Sequence, residues 1–543
     1  MKKFVIILLG MTLIVACDDD ILNQVPKDSL NEELVWTDPV GAKQFINGIY
    51  GEMQSGFDRN YDGWARGLYL YDGASDDGEV AMTWTHSQLL QTGIYNTTYI
   101  PWGNMWPIYY GLIRKTNVAL ENLDRLGENN QDIINELKGQ VYFLRGMIYH
   151  ELLRLFAYKP GNEGVPLIDR SLTVDDDLSI PRASYDDVVE FILADLDRAA
   201  ELLPAKGEIE AGRATSGAAY ALKGRVLMYA ERWAESAAAS KMVINNGRYS
   251  LYPDYRTLFL DKNNNEIIFA KKFAYPDKHH QSGGGGTQGA GWDVYNSPDI
   301  FRGATGDGGW GGNMPTQNFV GSYEMTDGLS QENSPLYNLQ DPYKNLDPRF
   351  YATVVYNGAT FRDVLIDLSN DSPVRRFLPT GYFLRKFHDE DLVLYATNSD
   401  QDWIFIRYAE VLLNYAEAQN EASGPDGSVY DAINTIRSRP SVNMPSLPAG
   451  LSQSEMREKI RNERRIELAF EEHRYFDIRR WGIANQVYND MQAMDIVKNP
   501  DGTFTYQVRH NYEIRDFVEK MNVIPIPQDE IDKNPEANQI LGW

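Results

Sequence analysis

Apolar residues recur at helical spacing along several separate stretches of the chain. Val40, Phe45, Ile46, Ile49 and Tyr50 share one face between Asp38 and Met53. Thr37-Asp38-Pro39 is a start signal, because an Asp side chain can cap free N–H groups and proline fits the first turn. Leu112, Ile113, Val118 and Leu123 predict a helix over 109–126. A longer stripe, Ile134, Leu137, Val141, Leu144, Ile148, Leu152 and Leu155, predicts one over 131–158. Val188, Phe191, Ile192, Leu196 and Leu202 predict another over 184–203, closed by Pro204. Residues 215–230 and 233–244 read as an Ala-rich pair broken at Glu231-Arg232-Trp233, and 403–422 with 428–437 as a second pair. A charged helix is expected over 452–481. Small residues at close-packing positions and a helix–turn–helix length of about 34 residues point to tetratricopeptide-like units. The predicted fold class is mainly α: a tetratricopeptide-like helix-pair scaffold with long loop-rich excursions and a few short strands.

The helical pattern fails twice, over 55–107 and over 251–401. Gly283 to Gly286 and Gly308-Gly309-Trp310-Gly311-Gly312 break it, and strand-like pieces at 266–271 and 349–356 take its place. Stretches this long without regular structure are uncommon unless functional. The expected organisation is a single domain over 31–543. Within it, 31–250 is an N-terminal helical half carrying the aromatic loop 55–107. Residues 251–401 form a second excursion and 402–543 a C-terminal helical half.

The first residues have a different character. Lys2 and Lys3 precede an apolar run from Phe4 to Ala16, too short to span a bilayer, which takes about 20 residues. Residues 1–16 are expected to be a secretory signal. Ile14-Val15-Ala16 leads into Cys17, the one cysteine, an arrangement that looks like a bacterial lipobox. Cys17 is therefore the expected lipidation site, and residues 17–30, with Asp18-Asp19-Asp20, an acidic tether. The formal charge is −25, from 52 basic and 77 acidic side chains. That balance disfavours nucleic acid as a partner, since phosphate binding needs cationic surface.

Several chemical motifs fail on inspection. Gly284 to Gly289 matches GxGxxG, but Ala-Gly-Trp-Asp follows where a phosphate-binding helix should start. His150-Glu151 opens like a zinc-protease helix, yet Arg154 stands where the second ligand belongs. Asp58, Asn60 and Asp62 copy the first half of a calcium loop, with Tyr69 in place of the terminal acid, and are weak metal candidates. No cofactor is expected. Serine nucleophile motifs of the GxSxG type are absent.

What remains is aromatic density on the excursions. Aromatics make up 12% of the chain, with 33 Tyr and 11 Trp. A sugar offers a flat C–H face to an aromatic ring and a rim of hydroxyls to carboxylate, amide and guanidinium groups. Trp84, Trp102 and Trp310, set among Gly, Thr and Asn, are the expected platforms, while Trp106, Tyr109 and Tyr110 enter a helix and should be core.

Two long segments carry a family resemblance. Arg407-Tyr408-Ala409-Glu410-Val411-Leu412-Leu413-Asn414-Tyr415-Ala416-Glu417-Ala418 resembles the signature helix of the SusD-like (RagB/SusD) family, and Glu463 through Trp481 its second signature. Trp36 to Tyr50, Pro315-Thr316-Gln317 to Asp327-Gly328 and Ile524-Pro525-Ile526-Pro527-Gln528-Asp529-Glu530-Ile531 are further matches. Arg464 with Glu467, and Glu471 with Arg474, read as i,i+3 ion pairs of a scaffold.

The resemblance implies a lipid-anchored protein on the outer face of the outer membrane. It implies a non-catalytic receptor that binds oligosaccharide and passes it to a SusC-like TonB-dependent transporter. By region, it implies glycan contacts from Arg66, Asp72, Asp77, Trp84, Tyr95, Asn96, Trp102, Trp292 and Trp310, with Arg385 as a possible contributor. The alternatives are a peptide-binding member of the family and a secreted glycosidase with two carboxylates in a cleft.

Overall fold

A computed structural model describes residues 35–59, 70–80, 86–101, 105–280, 291–303, 308–375 and 378–543. Six longer helices come first: α1 Pro39–Glu52, α2 Met105–Asn122, α3 Gln131–Phe156, α4 Tyr185–Leu202, α5 Ser216–Tyr229 and α6 Trp233–Asn245. Their starts follow the sequence chemistry. Asp38 accepts from the Val40 N–H at 3.2 Å, Ser184 from Asp187 at 3.0 Å and Thr215 from Ala218 at 3.2 Å. Each helix packs on the next, so the six form a row. Between α5 and α6 the approach is tight: Ser236 Oγ donates to the Gly224 carbonyl at 2.8 Å, and a Cβ at Gly224 would lie 2.7 Å from Ser240 Oγ.

The row continues across the second excursion. The short α7, Trp292–Tyr295, lies within that excursion. Beyond it come α8 Tyr408–Ser423, α9 Gly427–Arg437, α10 Gln453–Glu467 and α11 Arg474–Arg480. Helix α8 packs directly on α6, and both α9 and α10 pack on α8. The excursion is thus an insertion between two helices that touch.

The strands are short: β1 Gly78–Val80, β2 Ile267–Lys271, β3 Asn313–Pro315, β4 Val354–Val355, β5 Thr360–Phe361, β6 Val364–Leu365, β7 Phe383–Leu384, β8 Trp403–Arg407, β9 Ala493–Lys498 and β10 Phe504–Arg509. Among the described residues they form antiparallel two-stranded ladders, pairing β1 with β3, β2 with β8, β4 with β7, β5 with β6 and β9 with β10. The β2–β8 pair, with Ile267 opposite Arg407 and Lys271 opposite Trp403, closes the neck of the insertion.

Three expectations are corrected. Residues 403–407 are strand, not the first turns of a helix, because Trp403, Ile404 and Ile406 are buried beside β2. Arg349–Thr353 is a helical turn, and only Val354 and Val355 of that piece are strand. The charged helix over 452–481 is two helices separated by a reversal in which Phe470 and Glu472 take φ of 58° and 62°.

That reversal aims carboxylates in different directions. Glu467 contacts Arg407 at 2.7 Å, Arg439 at 2.6 Å and Arg349 at 3.0 Å, while Glu471 contacts Arg407 and Lys386, each at 2.7 Å. Arg464 pairs with Asp477 at 2.7 Å and Arg474 with Asp76 at 2.9 Å. The expected i,i+3 pairs are therefore replaced by a buried network between distant segments. Burial pushes the Glu467 carboxyl up, but the guanidinium groups of Arg439, Arg407 and Arg349 overcome this and hold it below the usual carboxylate range.

Candidate functional site

Helix α7 carries Tyr295, and a glycine-rich segment lays Trp310 flat upon it. The ring centroids are 5.1 Å apart and the planes differ by 6°. The segment is held by backbone hydrogen bonds, Gly309 N–H to Val294 at 2.9 Å, Gly311 to Ser297 at 3.1 Å and Gly312 to Tyr295 at 3.3 Å. At Gly311 the backbone has φ of 65° and a side chain would strike the Phe383 ring, so glycine is required there. Tyr295 is buried, whereas Trp310 is half-buried. The indole is therefore the solvent-facing member of the stack.

Asp293 fixes α7 from below. Its carboxylate accepts from Ser399 Oγ at 2.8 Å, Gln401 Nε2 at 2.7 Å, Arg362 Nη2 at 2.8 Å and the Asp389 N–H at 2.8 Å. Burial raises its pKa, but His388 and the Arg362 charge outweigh that and hold it at about 2.

Strand pairing joins the two excursions at this point. In the β1–β3 ladder Gly78 faces Pro315 and Val80 faces Asn313, three residues after Trp310. Asn313 Oδ1 accepts from the Leu70 N–H at 3.1 Å, and Asn296 Oδ1 accepts from the Asn313 N–H at 3.0 Å. The first excursion is in turn docked on the second signature segment. Arg465 Nε donates to Asp77 at 2.6 Å, Arg474 Nε to Asp76 at 2.9 Å and the Glu472 N–H to Asp72 at 2.8 Å. Arg59 grips the Glu472 carboxylate at 2.5 and 2.6 Å.

This arrangement sorts the expected ligand residues. Trp310 is placed on a built platform. Trp292 has no exposed surface and packs among Phe57, Phe387 and His388, so it is a core ring. Asp72 and Asp77 are buried anchors of the first excursion. Burial, then the Glu472 and Asp77 carboxylates, push the Asp72 pKa well above its ordinary value. Tyr95 is buried with its ring 4.9 Å from that of Trp543. Asn96 is exposed, but its side-chain oxygen closes a local turn by accepting from Thr98 and Tyr99. Arg385 is tied to Glu390 at 2.8 and 3.1 Å.

The calcium reading of Asp58 gives way to an internal cation, because its carboxylate takes the Ser55 hydroxyl at 2.6 Å and the Lys271 ammonium at 2.5 Å. Trp84, Trp102, Arg66, Asn60, Asp62 and Cys17 lie outside the described residues. Sequence reasoning missed the supporting roles of Asp293, Arg465 and Arg474. Their partners lie far away in the chain, and no local pattern announces such pairs.

Residues 265–543 match a family model described as the SusD family. The chain belongs to the SusD family. Residues 25–228 match a second SusD-like model described as starch-binding associating with outer membrane. Among curated relatives, SusD-like protein P2 of Formosa agariphila is 26% identical over 90% of this chain and 92% of its own length. A SusD-like protein from Bacteroides fragilis superposes with a TM-score of 0.80 at 30% identity, covering 96% of this chain and all of that one. A second B. fragilis structure, of a SusD-like carbohydrate-binding protein, gives 0.80 at 25% identity over 93% of this chain and all of that one.

Proposed function

We propose that this SusD-family chain is a cell-surface lipoprotein that captures oligosaccharide by aromatic stacking. It passes the sugar to a SusC-like TonB-dependent transporter in the outer membrane, without chemistry of its own. The observation that carries the reading is the Trp310–Tyr295 stack, held rigidly on a glycine turn where the two excursions meet. A ring already supported on one face loses little side-chain freedom when a sugar covers the other. Trp84 follows Val80 by four residues in sequence, and Val80 pairs beside the Trp310 segment. We assign Trp84, with Trp102 and Arg66, to the same site. The outer-membrane and starch-binding wording of the matching family model, and the carbohydrate-binding B. fragilis relative, support the ligand class and location. Cys17 supplies the anchor in this reading.

Calorimetry of the chain against defined oligosaccharides and peptides, with an assay for new reducing ends, tests it. Saturable sugar binding without cleavage, weakened in Trp310→Ala and Trp84→Ala, is the expected result. Turnover would replace the receptor by a glycosidase, and a response to peptides alone would move the chain to the peptide-binding reading.

A further inference from the structure

Acidic side chains outnumber basic ones by 77 to 52 in this chain, yet two adjoining clefts invert the balance. The larger, of about 450 Å³, is lined by Lys206, Arg213, Arg248, Lys262 and Lys272, with Glu210 as the acid among its lining residues. The smaller, of about 240 Å³, shares Glu210, Arg213 and Lys272 and adds Lys271 and Lys278. Both run along β2, so they form one groove.

Several of these cations have acids at the rim. Arg213 pairs with Glu210 at 3.3 Å, Arg248 with Glu208 at 2.8 Å, Lys262 with Asp400 at 2.9 Å, Lys271 with Asp58 at 2.5 Å, and Lys272 with Asp402. Among the described residues, Lys206 and Lys278 contact backbone carbonyls and no carboxylate. Lys206 Nζ donates to the Asn264 and Ile267 carbonyls at 3.2 and 2.9 Å and sits 4.9 Å from the Tyr249 ring centre. Two carbonyls occupy two of its three N–H groups and leave its charge unbalanced. Burial lowers its pKa to about 8, a mark of an ammonium stripped of water without a counter-charge. Lys278 donates to the Gly51 carbonyl at 3.3 Å.

We propose that this groove binds the acidic groups, carboxylate or sulfate, of a charged oligosaccharide, as a second site apart from the Trp310–Tyr295 stack. The proposal rests on the glycan-binding reading above. Size argues for a saccharide over a lone ion: the larger cleft alone falls in the range of pockets for whole small molecules, about 300–1,000 Å³. The five residues of β2 give a floor of about 16 Å, long enough for several sugar units. Asn263, Asn265 and Thr215 in the lining supply neutral groups for hydroxyls.

The test titrates the full-length chain with three hexasaccharides, one neutral, one a polyuronate and one sulfated, and with inorganic sulfate. At least one acidic sugar should bind more tightly than the neutral one. The double variant Lys206→Gln/Lys278→Gln should weaken that binding at least tenfold, with a melting temperature lowered only by the loss of the hydrogen bonds to the Asn264, Ile267 and Gly51 carbonyls, and the folded fraction checked at the titration temperature. Trp310→Ala should leave it within twofold. Unchanged affinity in the lysine variant, or loss in Trp310→Ala alone, overturns the proposal. Inorganic sulfate binding as tightly as the sulfated sugar overturns the saccharide assignment. Binding of the neutral sugar alone overturns this site only, whereas silence toward all three sugars also removes the glycan-binding reading.

Discussion

Two tryptophans of one excursion differ in their surroundings and should differ in what their removal costs. Trp292 is enclosed by Phe57 and Phe387, so Trp292→Ala leaves a core cavity and should cost about 3–5 kcal/mol in denaturant unfolding. Trp310 covers a tyrosine and is only half-buried. Trp310→Ala should weaken binding of a neutral oligosaccharide at least tenfold, about 1.4 kcal/mol, while the unfolding midpoint moves much less than in Trp292→Ala. Equal losses of stability in the two variants would remove the platform assignment. Sequence could flag both rings as candidates, because both sit among Gly, Asp and Asn. It could not separate them, because burial here depends on Phe57 and Phe387, which approach from far away in the chain. The same holds for Asp72 and Asp77: as residue types they suit hydroxyl recognition, and only the docking of residues 70–80 on the second signature segment turns them inward.

At the scale of elements, the signature segments hold the excursions in place through charge. Arg407 ends β8 and reaches Glu266, Glu467 and Glu471. Arg407→Met strands these carboxylates in the interior and should cost about 3–5 kcal/mol, read as a fall in denaturant midpoint. Gly311→Ala forces a side chain toward Phe383 at positive φ; it should lower stability by about 1 kcal/mol or more and, by displacing Trp310, weaken sugar binding as well. Most helices were legible in the sequence because amphipathic stripes and caps are local: α1, α3 and α4 begin and end within a few residues of expectation. The break between α10 and α11 was not. Residues 452–481 are rich in helix-forming charged residues, and it is the distant partners of Glu467, Glu471 and Glu472 that make the reversal favourable. Residues 403–407 misled for a related reason, since their strand state depends on β2, a partner far away in the sequence.

At the scale of the molecule, a buried carboxylate held low by its His388 and Arg362 partners contributes to the response to acid. Asp293 is held at about 2 against an ordinary value near 4. The unfolded chain therefore binds the extra proton first. The stabilisation, about 2 kcal/mol, is complete above about pH 4 and lost as pH falls through about 2. Unfolding midpoints measured from pH 5 to 2 should fall over that window, with a shallower slope in Asp293→Asn. The net charge of −25 should make the whole chain migrate as a strong anion at neutral pH, which leaves the cationic groove as a local exception. Membrane attachment is tested at Cys17: Cys17→Ala should move the protein from the membrane pellet to the soluble fraction. The contact between α6 and α8 has a consequence of its own. The stretch between β2 and β8 leaves and re-enters the row of helices at one place, the β2–β8 pair. Such a stretch is exchangeable in part: evolution, or a protein engineer grafting a new recognition surface, can rewrite its outer loops while Glu266, Arg349 and Lys386, which complete the buried charge network of the helical frame, stay as they are.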